Sequence, residues 1–352
     1  MRLELLTTLE QLTLLREEWN RLAAGVPLRG PAWLLSWWRA FGGRHKLHVL
    51  ALRSEEGELL GLAPWYRRDA AAGRVLAFLG SGTACTDYTT VLAKPGRETA
   101  VAGAVAGWLR EHADSWDVLE LFGVEERDST ITALVAELRS EGCGLLESEP
   151  IRAWRIPLPA DWEAFMAMQS KSHRKQIRRV QERLFVSGRA VLHSARDSAT
   201  LAEGMAIFRD LHQRRRESLG EPGCFAQPEF AAFFEYAAEA LLASGELGLR
   251  WVTLDGRPIA AEFHLEGTDV TYAYQAGVDP DQLEEEPGRL INTAAIMRAI
   301  ERKRQGFDFL RGDEHYKAHW RAEPRTLLQL RLTAPSASGR VRRHARNPPG
   351  RP

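Results

Sequence analysis

The stretch that decides the fold is Thr268–Trp320, TDVTYAYQAGVDPDQLEEEPGRLINTAAIMRAIERKRQGFDFLRGDEHYKAHW. Alternating aromatic and small residues around Tyr272 predict a strand, and the turn residues Gly277–Pro280 end it. After Pro287 the apolar side chains recur at helical spacing, and Gly306 precedes a second short strand. Strand, helix and neighbouring strand make a crossover unit. Its helix begins at the carboxyl edge of the sheet, where free backbone N–H groups favour a phosphate.

Composition limits what this stretch belongs to. The 352 residues are 44% apolar, which allows a sizeable core, and the length favours two domains. The 47 basic and 47 acidic residues balance, which argues against a dedicated DNA-binding protein. Three widely spaced cysteines indicate neither disulfides nor a metal site. Without a signal-peptide pattern or an apolar run long enough for stable membrane insertion, the sequence favours a cytoplasmic protein, of undetermined oligomeric state.

The two halves of the chain repeat one plan of helices, a hairpin, a third strand, a helix and a final strand. The hairpin turn at Gly57 is echoed by Gly256, and Asp117 at the start of a strand is echoed by Asp308. A tandem duplication explains the repeat; two halves that only resemble each other are the alternative. The pattern predicts an N-terminal domain at 1–158, a C-terminal domain at 159–333 and a disordered basic tail at 334–352.

Five segments narrow the fold further: Gly256–Ala260 (GRPIA), Tyr274–Pro280 (YQAGVDP), Pro287–Leu290 (PGRL), Gly306–Phe309 (GFDF) and Gly312–Trp320 (GDEHYKAHW). With the order of elements and the basic helix at 171–184, they resemble the GNAT acyltransferases of the branch associated with cellulose and exopolysaccharide biosynthesis. That branch is related to the Fem-type aminoacyltransferases. The resemblance implies an α+β protein with a mixed sheet. Its two tandem GNAT-like domains pack around a shared cleft, and the N-terminal one is degenerate.

The resemblance also implies a reaction: direct transfer of an acyl group from acetyl-CoA or another acyl-CoA to a small-molecule or glycan-precursor acceptor, without a metal. The implied donor site consists of Tyr274, Gln275, Ala276, Gly277, Pro287, Gly288, Arg289 and Leu290. The usual pair of spaced glycines is absent there, and Glu284–Glu286 add negative charge beside the helix start. Aminoacyl-tRNA, which Fem-like relatives use, is therefore the alternative donor. A non-catalytic component of polysaccharide assembly is a second alternative.

Acyl transfer to an amine needs a base, a donor for the developing oxyanion and an acid for the leaving group. Glu262, in an alternating strand segment, is the candidate base, unless its face of the sheet is solvated. Tyr316 and Lys317 match the motif that closes Fem-like domains, which implies an acid and an oxyanion donor; a core tyrosine beside a surface lysine is the alternative. Asp279 is a site residue or the cap of the turn before Pro280.

Further side chains are candidates for acceptor binding. His264 shares a strand face with the candidate base, and Asp308 lies between two phenylalanines; structural roles are the alternative for both. Lys171, Arg174 and Arg178 fall on one side of the basic helix. This stripe suits the phosphates of a nucleotide-linked acceptor, of tRNA or of CoA, and a solvated charged face explains it equally well.

Overall fold

The fold is that of a computed structural model, which describes residues 1–337 apart from the side chains of Arg183 and Leu184. The predicted tail therefore lies outside the described residues from position 338 onward. Of the helices in residues 1–337, none has the length and apolar character needed to cross a membrane.

Within residues 1–337 the strands are Arg2–Leu6 (β1), Lys46–Arg53 (β2), Leu59–Ala70 (β3), Gly73–Phe78 (β4), Leu92–Ala93 (β5), Val118–Glu125 (β6), Gly144–Pro157 (β7), Ala190–Ser194 (β8), Leu247–Leu254 (β9), Arg257–Glu266 (β10), Val270–Val278 (β11), Gly306–Arg311 (β12) and Glu323–Thr333 (β13). The α-helices are Leu9–Leu14 (α1), Arg16–Ala23 (α2), Pro31–Phe41 (α3), Glu98–Glu111 (α4), Ser129–Ser140 (α5), Trp162–Met168 (α6), Lys171–Val180 (α7), Ser198–Ser218 (α8), Pro228–Ser244 (α9), Pro287–Glu301 (α10) and His315–His319 (α11). The predicted basic helix is α7, which continues as a π-helical segment from Gln181 to Val186.

Two compact units divide the chain: residues 1–151 with the C-terminal segment from Thr326, and residues 152–325. The chain passes to the second unit within β7 and returns within β13. The C-terminal segment groups with the first unit because β13 pairs antiparallel with β6, Leu327 opposite Glu125. The domains predicted from the sequence divide at residue 158 and keep 326–333 with the C-terminal half.

Both units follow the same order of elements. In the first, the strand order is β1-β2-β3-β4-β6-β13, with β5 against β3; in the second, it is β7-β12-β11-β10-β9-β8. The pairs β4 with β6 and β11 with β12 are parallel, whereas β2 with β3 and β10 with β11 are antiparallel. Each parallel pair is joined by a crossover helix, α4 in the first unit and α10 in the second. The predicted crossover unit and the predicted mixed α/β architecture with two similar domains are therefore confirmed.

Each unit buries its own core. In the first, α4 and α5 pack on the sheet around Trp65 and Trp116, which are fully buried. In the second, α10 covers one core around Phe307. Elsewhere in this unit the aromatic rings of α8 and α9 cluster against Phe263 of β10.

Local sequence explains how the second unit holds its central strands. The β9–β10 hairpin turns at Asp255 and Gly256, which both have positive φ (48° and 82°), as a type I′ turn requires. Helix α8 lies directly against β11 at Gly277, where a Cβ atom would lie 2.3 Å from the backbone nitrogen of His212. Glycine at this position therefore sets the close approach of helix and strand.

Candidate active site

The parallel strands β11 and β12 separate at their carboxyl ends. Their pairing begins with Val270 opposite Gly306 and ends with Tyr272 opposite Asp308. Both strands continue beyond that point, and β12 bends where Leu310 adopts a φ of 56°. The strands therefore diverge after Tyr272 and Asp308 and leave an opening between them. It lies at the carboxyl edge, where parallel α/β sheets bind their ligands.

Asp308 fixes the bend of β12. Its carboxylate is 0% exposed, and it accepts hydrogen bonds from the backbone N–H of Leu310 and from Nε of Arg155, each at 2.7 Å. A non-glycine residue holds a left-handed conformation only when its surroundings support it, and Asp308 supplies that support to Leu310. Asp308 thus has an observed scaffold role, and its contact with substrate stays a prediction.

Glu262 lies on β10 opposite Ala276 of β11, beyond the end of the parallel pairing. It is 3% exposed, so the alternative of a solvated strand face is wrong. Its Oε2 atom is 2.9 Å from Nε2 of His264. The two atoms are close enough to interact electrostatically, but they are not aligned as a hydrogen bond, and Oε2 has no hydrogen-bond partner. The carboxylate oxygen therefore keeps a lone pair for an incoming proton.

Buried charged groups continue from His264 away from Glu262. Nη1 of Arg250 donates to Nδ1 of His264 at 2.9 Å, and Nη2 pairs with Oε1 of Glu266 at 2.5 Å. Thr271 donates to the other oxygen of Glu266 at 2.9 Å. A guanidinium only donates, so Nδ1 of His264 is the acceptor of this bond and the ring N–H is on Nε2, on the side of Glu262. His264 is thus a fully buried positioning group, and its predicted contact with substrate is untested.

The Arg250–Glu266 pair is strongly coupled. Burial by itself raises the pKa of Glu266, but the charge and hydrogen bond of Arg250, with smaller contributions from His264 and Thr271, lower it from 4.5 to about 2. Nη1 of Arg302 lies 3.6 Å from the second carboxylate oxygen. The pair therefore stays charged at physiological pH and fixes the side of His264 that faces away from Glu262.

Tyr316 of α11 lies beside the end of β12. Its ring packs edge-on against Phe309 of β12, with centroids 5.6 Å apart. The residue is 45% exposed overall, yet burial around its hydroxyl raises the pKa, and the carboxylates of Glu314 and Glu262 raise it further. The hydroxyl therefore holds its proton at neutral pH, as a general acid must.

Lys317 is 2% exposed, so the alternative of a surface lysine is wrong. Its Nζ donates to the backbone carbonyls of Leu310, Arg311 and Gly312 at 3.3, 2.8 and 3.1 Å, and it pairs with Glu314 at 2.8 Å. These contacts tie α11 to the turn that follows β12. An ammonium group with these partners stabilises the turn after β12. Its role as an oxyanion donor stays a prediction.

Asp279 caps the turn after β11. Its Oδ1 atom accepts from the backbone N–H of Asp281 at 3.0 Å and from Nη2 of Arg214 at 2.7 Å. Arg214 also pairs with the carboxylate of Asp281 at 2.9 Å. The turn-capping interpretation of Asp279 thus has direct contacts, while a catalytic role has no contact in its favour and stays a prediction.

The start of α10 is the predicted phosphate cradle. Glu286 occupies the N-cap position without a side-chain cap bond, and its carboxylate pairs instead with Arg289 and with Arg179 of α7. A Cβ atom at Gly288 would find no atom nearer than Cγ1 of Val278 at 4.0 Å. Open space and two arginines therefore meet at the helix start, with one carboxylate between the arginines.

The other predicted donor residues differ in exposure. They are exposed (Ala276), half-buried (Tyr274 and Gln275) or buried (Gly277, Pro287 and Leu290). Leu290 is part of the core beneath α10. The buried residues can meet a donor only through their backbone, whereas the side chains of the first three lie on the part of β11 that has left β12.

The predicted basic stripe on α7 is only partly available. Lys171 and Arg178 are exposed, but Nη1 of Arg174 donates to the carbonyls of Ala167 and Gln169 at 3.2 and 3.0 Å and so caps α6. The opposite, apolar face of α7 packs against α10. Two of the three predicted phosphate-binding side chains therefore point to solvent.

Sequence reasoning missed two parts of this region. One is the buried Arg250–Glu266 pair. The other is His173 on the inner face of α7, whose pKa is lowered to about 4 by burial and by the neighbouring Arg289 and His319. Its position one turn before the buried Ile177 was the available signal. Among residues 1–337 no three metal-ligating side chains cluster as a metal site would require.

The corresponding place in the first unit is filled by the chain itself. Pairing of β4 with β6 also ends after three residues, at Ala77 opposite Glu120. Thr89, in the loop after β4, donates from its backbone to the carbonyl of Gly123 at 3.1 Å and from its hydroxyl to the carbonyl of Phe122 at 2.5 Å. A cavity of about 10 Å³ remains beside this loop, which is room for one water molecule.

Comparison with known families gives a match within the second unit. The family model described as an acetyltransferase (GNAT) domain matches residues 171–318. This part of the chain therefore matches the GNAT family. The matched range runs from α7 to α11 and contains the separated strands, Glu262 and Tyr316. Comparison with curated proteins gives no match.

Solved structures extend the likeness beyond the GNAT domain. The crystal structure of FemX has a TM-score of 0.67 at 12% identity and covers 93% of this chain and 97% of that one. A conserved protein of unknown function from Bacteroides thetaiotaomicron VPI-5482 has a TM-score of 0.60 at 10% identity, with 91% and 97% covered. The C-terminal domain of a putative lysylphosphatidylglycerol synthetase from Agrobacterium fabrum has a TM-score of 0.54 at 10% identity, with 90% and 92% covered. At these identities the likeness to FemX and to the other two structures concerns the fold, and the predicted GNAT domain is confirmed by the family match.

Proposed function

We propose that the GNAT domain transfers an acyl group from an acyl-CoA to an amine or hydroxyl of a sugar or cell-envelope glycan precursor. The observation that carries the proposal is the arrangement of Glu262 and Tyr316 at the open ends of β11 and β12. Glu262 is a buried carboxylate whose Oε2 atom accepts no hydrogen bond, and Tyr316 has a hydroxyl that keeps its proton at neutral pH. Acyl transfer needs such a base and such an acid within reach of one carbonyl.

The chemistry follows in one displacement. Glu262 takes the proton of the acceptor as its nitrogen or oxygen attacks the thioester carbonyl. The new bond to the carbonyl carbon forms, the bond from carbon to the CoA sulfur breaks, and Tyr316 protonates the departing thiolate. His264, fixed from behind by Arg250, keeps the Glu262 carboxylate in place between turnovers.

The start of α10 supports CoA as the donor. The space at Gly288 is open, and Arg179 and Arg289 converge there. A pyrophosphate would take the place of the Glu286 carboxylate between the two arginines, and Glu286 would turn to solvent. Charge-assisted contacts of this kind are the usual way in which proteins hold phosphate groups. An acyl-CoA donor places the reaction in the cytoplasm.

Donor binding is the first experiment. Isothermal titration calorimetry with acetyl-CoA, longer acyl-CoAs and CoA should give dissociation constants of about 1 μM to 1 mM, the range in which enzymes hold substrates. Arg289→Ala should weaken binding, whereas Arg209→Ala, which removes an exposed arginine paired with Glu235, should not. Release of free CoA in the presence of amino sugars and glycan fragments then reports turnover. If the protein neither binds an acyl-CoA nor releases free CoA, the proposed function is wrong.

Aminoacyl-tRNA is the second candidate donor. Two observations favour it: the Glu286 carboxylate already occupies the arginines at the start of α10, and Lys171 and Arg178 present an exposed basic surface. RNA phosphates bind such surfaces in a salt-dependent way. If this donor is correct, ribonuclease treatment abolishes transfer and acyl-CoA produces no heat of binding. If CoA is the donor, ribonuclease has no effect.

A further inference from the structure

Cys224 and His212 form a thiol–imidazole pair that the proposed transfer reaction does not use. Sγ of Cys224 lies 3.2 Å from Nε2 of His212, and Nδ1 of His212 lies 2.9 Å from the backbone carbonyl oxygen of Ala276. A carbonyl oxygen only accepts, so Nδ1 carries the ring proton. Nε2 is therefore the acceptor, and the thiol of Cys224 donates to it. A nucleophile, a base and a group that orients the base are thus connected by two contacts.

The pair is held rigidly. His212 is 1% exposed, and its backbone packs on Gly277, the closest approach of α8 to β11. The loop that carries Cys224 is tied to α8 at two points. Nε2 of Gln213 donates to the carbonyl of Pro222 at 2.6 Å, and Arg216 pairs with Glu221 at 2.7 Å. These contacts anchor the loop of Cys224 to the helix that carries His212.

The pair is also close to the opening of the strands. Ala276, which orients His212, is exposed and lies on β11 four residues beyond Tyr272, where the pairing with β12 ends. It is also the residue opposite Glu262. In the proposed reaction an acyl thioester occupies this end of β11. Cys224 is partly exposed, and its partner His212 is bonded to this end of β11, so the thiol is a second candidate nucleophile for the proposed thioester.

Protonation states keep the resting pair uncharged. Burial raises the pKa of Cys224 to about 12, although Arg216 and the backbone N–H groups of Cys224 and Phe225 act in the opposite direction. Burial also lowers the pKa of His212, although its bond to Ala276 opposes this. At neutral pH both groups are therefore uncharged. The thiol is inert by itself and becomes a nucleophile as its proton passes to Nε2.

We propose that Cys224 is an acyl acceptor site of the GNAT domain and that His212 is its base. This inference rests on the proposed thioester donor. Sγ of Cys224 attacks the thioester carbonyl, its proton passes to Nε2 of His212, and the bond from the carbonyl carbon to the CoA sulfur breaks. The departing thiolate takes the proton from His212. The products are S-acyl-Cys224 and free CoA, and the neutral pair is otherwise restored.

The modification competes with transfer to the external acceptor. S-Acyl-cysteine is itself a thioester, so the acyl group can return to CoA by the reverse of the same steps. Acylation of Cys224 is therefore expected to build up when acyl donor is present without an acceptor. It also removes the thiol proton from Nε2 of His212 and places an acyl chain beside Ala276 at the opening.

Mass spectrometry of the full chain tests the proposal. The protein is incubated without acceptor, either with acetyl-CoA or with S-acetyl-N-acetylcysteamine, a small thioester that needs no CoA site. One acetyl group is expected, mapped to Cys224 by peptide analysis. Cys224→Ser should abolish the thioester label, and Cys85→Ser should not. Cys85 is the matched control because it is exposed and, in the contacts of the described residues, its thiol donates to the carbonyl of Gly82 and not to a histidine. A label at Cys85, or equal labels at both, would overturn the proposal.

His212→Asn separates base catalysis from simple exposure. Its amide can still donate to the carbonyl of Ala276, but it offers no nitrogen lone pair to the thiol, so labelling should slow by about 10²-fold. If this variant does not fold, the position of the label in the unchanged protein still decides between Cys224 and Cys85. Turnover with an acceptor but no label on Cys224 would overturn this inference and leave the proposed function standing. Labelling of Cys224 by the small thioester, with no binding or reaction of acetyl-CoA, would overturn the proposed donor and leave this inference standing.

Discussion

Replacement of Glu266 by glutamine tests the buried network behind the candidate base. The pKa of Glu266 is about 2 in the folded protein, against an ordinary value of 4.5. Its folded pKa is lowered, so the stabilisation is complete above about pH 4.5 and is lost as the pH falls toward 2. A difference of about 2.5 pKa units corresponds to about 3 kcal/mol of unfolding free energy at neutral pH. Glu266→Gln also leaves Arg250 charged and buried, and breaking a buried pair in this way costs about 3–5 kcal/mol.

Urea unfolding of the full chain, followed by circular dichroism at pH 7 and at pH 3, measures this effect. Hydrogen exchange of peptides from β9 and β10 assigns the change to the GNAT domain. Glu235→Gln is the matched control: Glu235 also pairs with an arginine, but it is 58% exposed, so its loss should cost less than about 1 kcal/mol. The unaltered protein should lose stability between pH 4.5 and pH 2 more steeply than Glu266→Gln. Equal effects of the two substitutions at pH 7 would refute the reasoning.

Three further predictions concern single residues. Tyr316→Phe should lower kcat by about 10²-fold without changing donor affinity, measured by steady-state kinetics and calorimetry. Lys317→Ala leaves three carbonyls and a carboxylate without their donor; it should lower the unfolding free energy by about 1–3 kcal/mol and speed hydrogen exchange in the turn after β12, and unchanged exchange would contradict its role as a brace. Gly277→Ala should destabilise by about 1–3 kcal/mol because its Cβ collides with α8. Gly288→Ala should not destabilise, because the atom nearest to its Cβ is Cγ1 of Val278 at 4.0 Å; thermal melts compare the two variants.

The sequence predicted the order of elements well because that order depends on local signals. Alternation around Tyr272, the breaker residues from Gly277 and the helical spacing after Pro287 correspond to the observed β11 and α10. Burial of Glu262 also followed from alternation. These features need no knowledge of which strand lies beside which.

The network behind Glu262 could not be predicted, because a strand irregularity creates it. An uninterrupted hairpin around the Asp255–Gly256 turn would place Arg250 opposite Ala261. The register shifts by one residue between Pro258 and Ala260, so Arg250 instead lies opposite Glu262. A one-residue shift moves a side chain to the other face of its partner strand, and alternation does not reveal it.

Tertiary pairing explains the other differences. The three glutamates before α10 suggested repulsion of phosphate, yet Glu286 is compensated by Arg289 and by Arg179, which comes from a distant helix. Cysteine spacing indicated no site, because the contact of Cys224 with His212 depends on how a loop folds back onto α8. Long-range contacts of this kind leave no periodic trace in the sequence.

The measurement that most directly tests the central claim is turnover by Glu262→Gln. Glutamine keeps the size of the side chain but cannot take a proton, so kcat should fall by about 10²–10⁴-fold while the dissociation constant of the donor stays the same. Circular dichroism and calorimetry on the same sample confirm folding and donor binding. Undiminished turnover by the folded variant would contradict the assignment of Glu262 as the base and, with it, the location of the reaction at the open ends of β11 and β12.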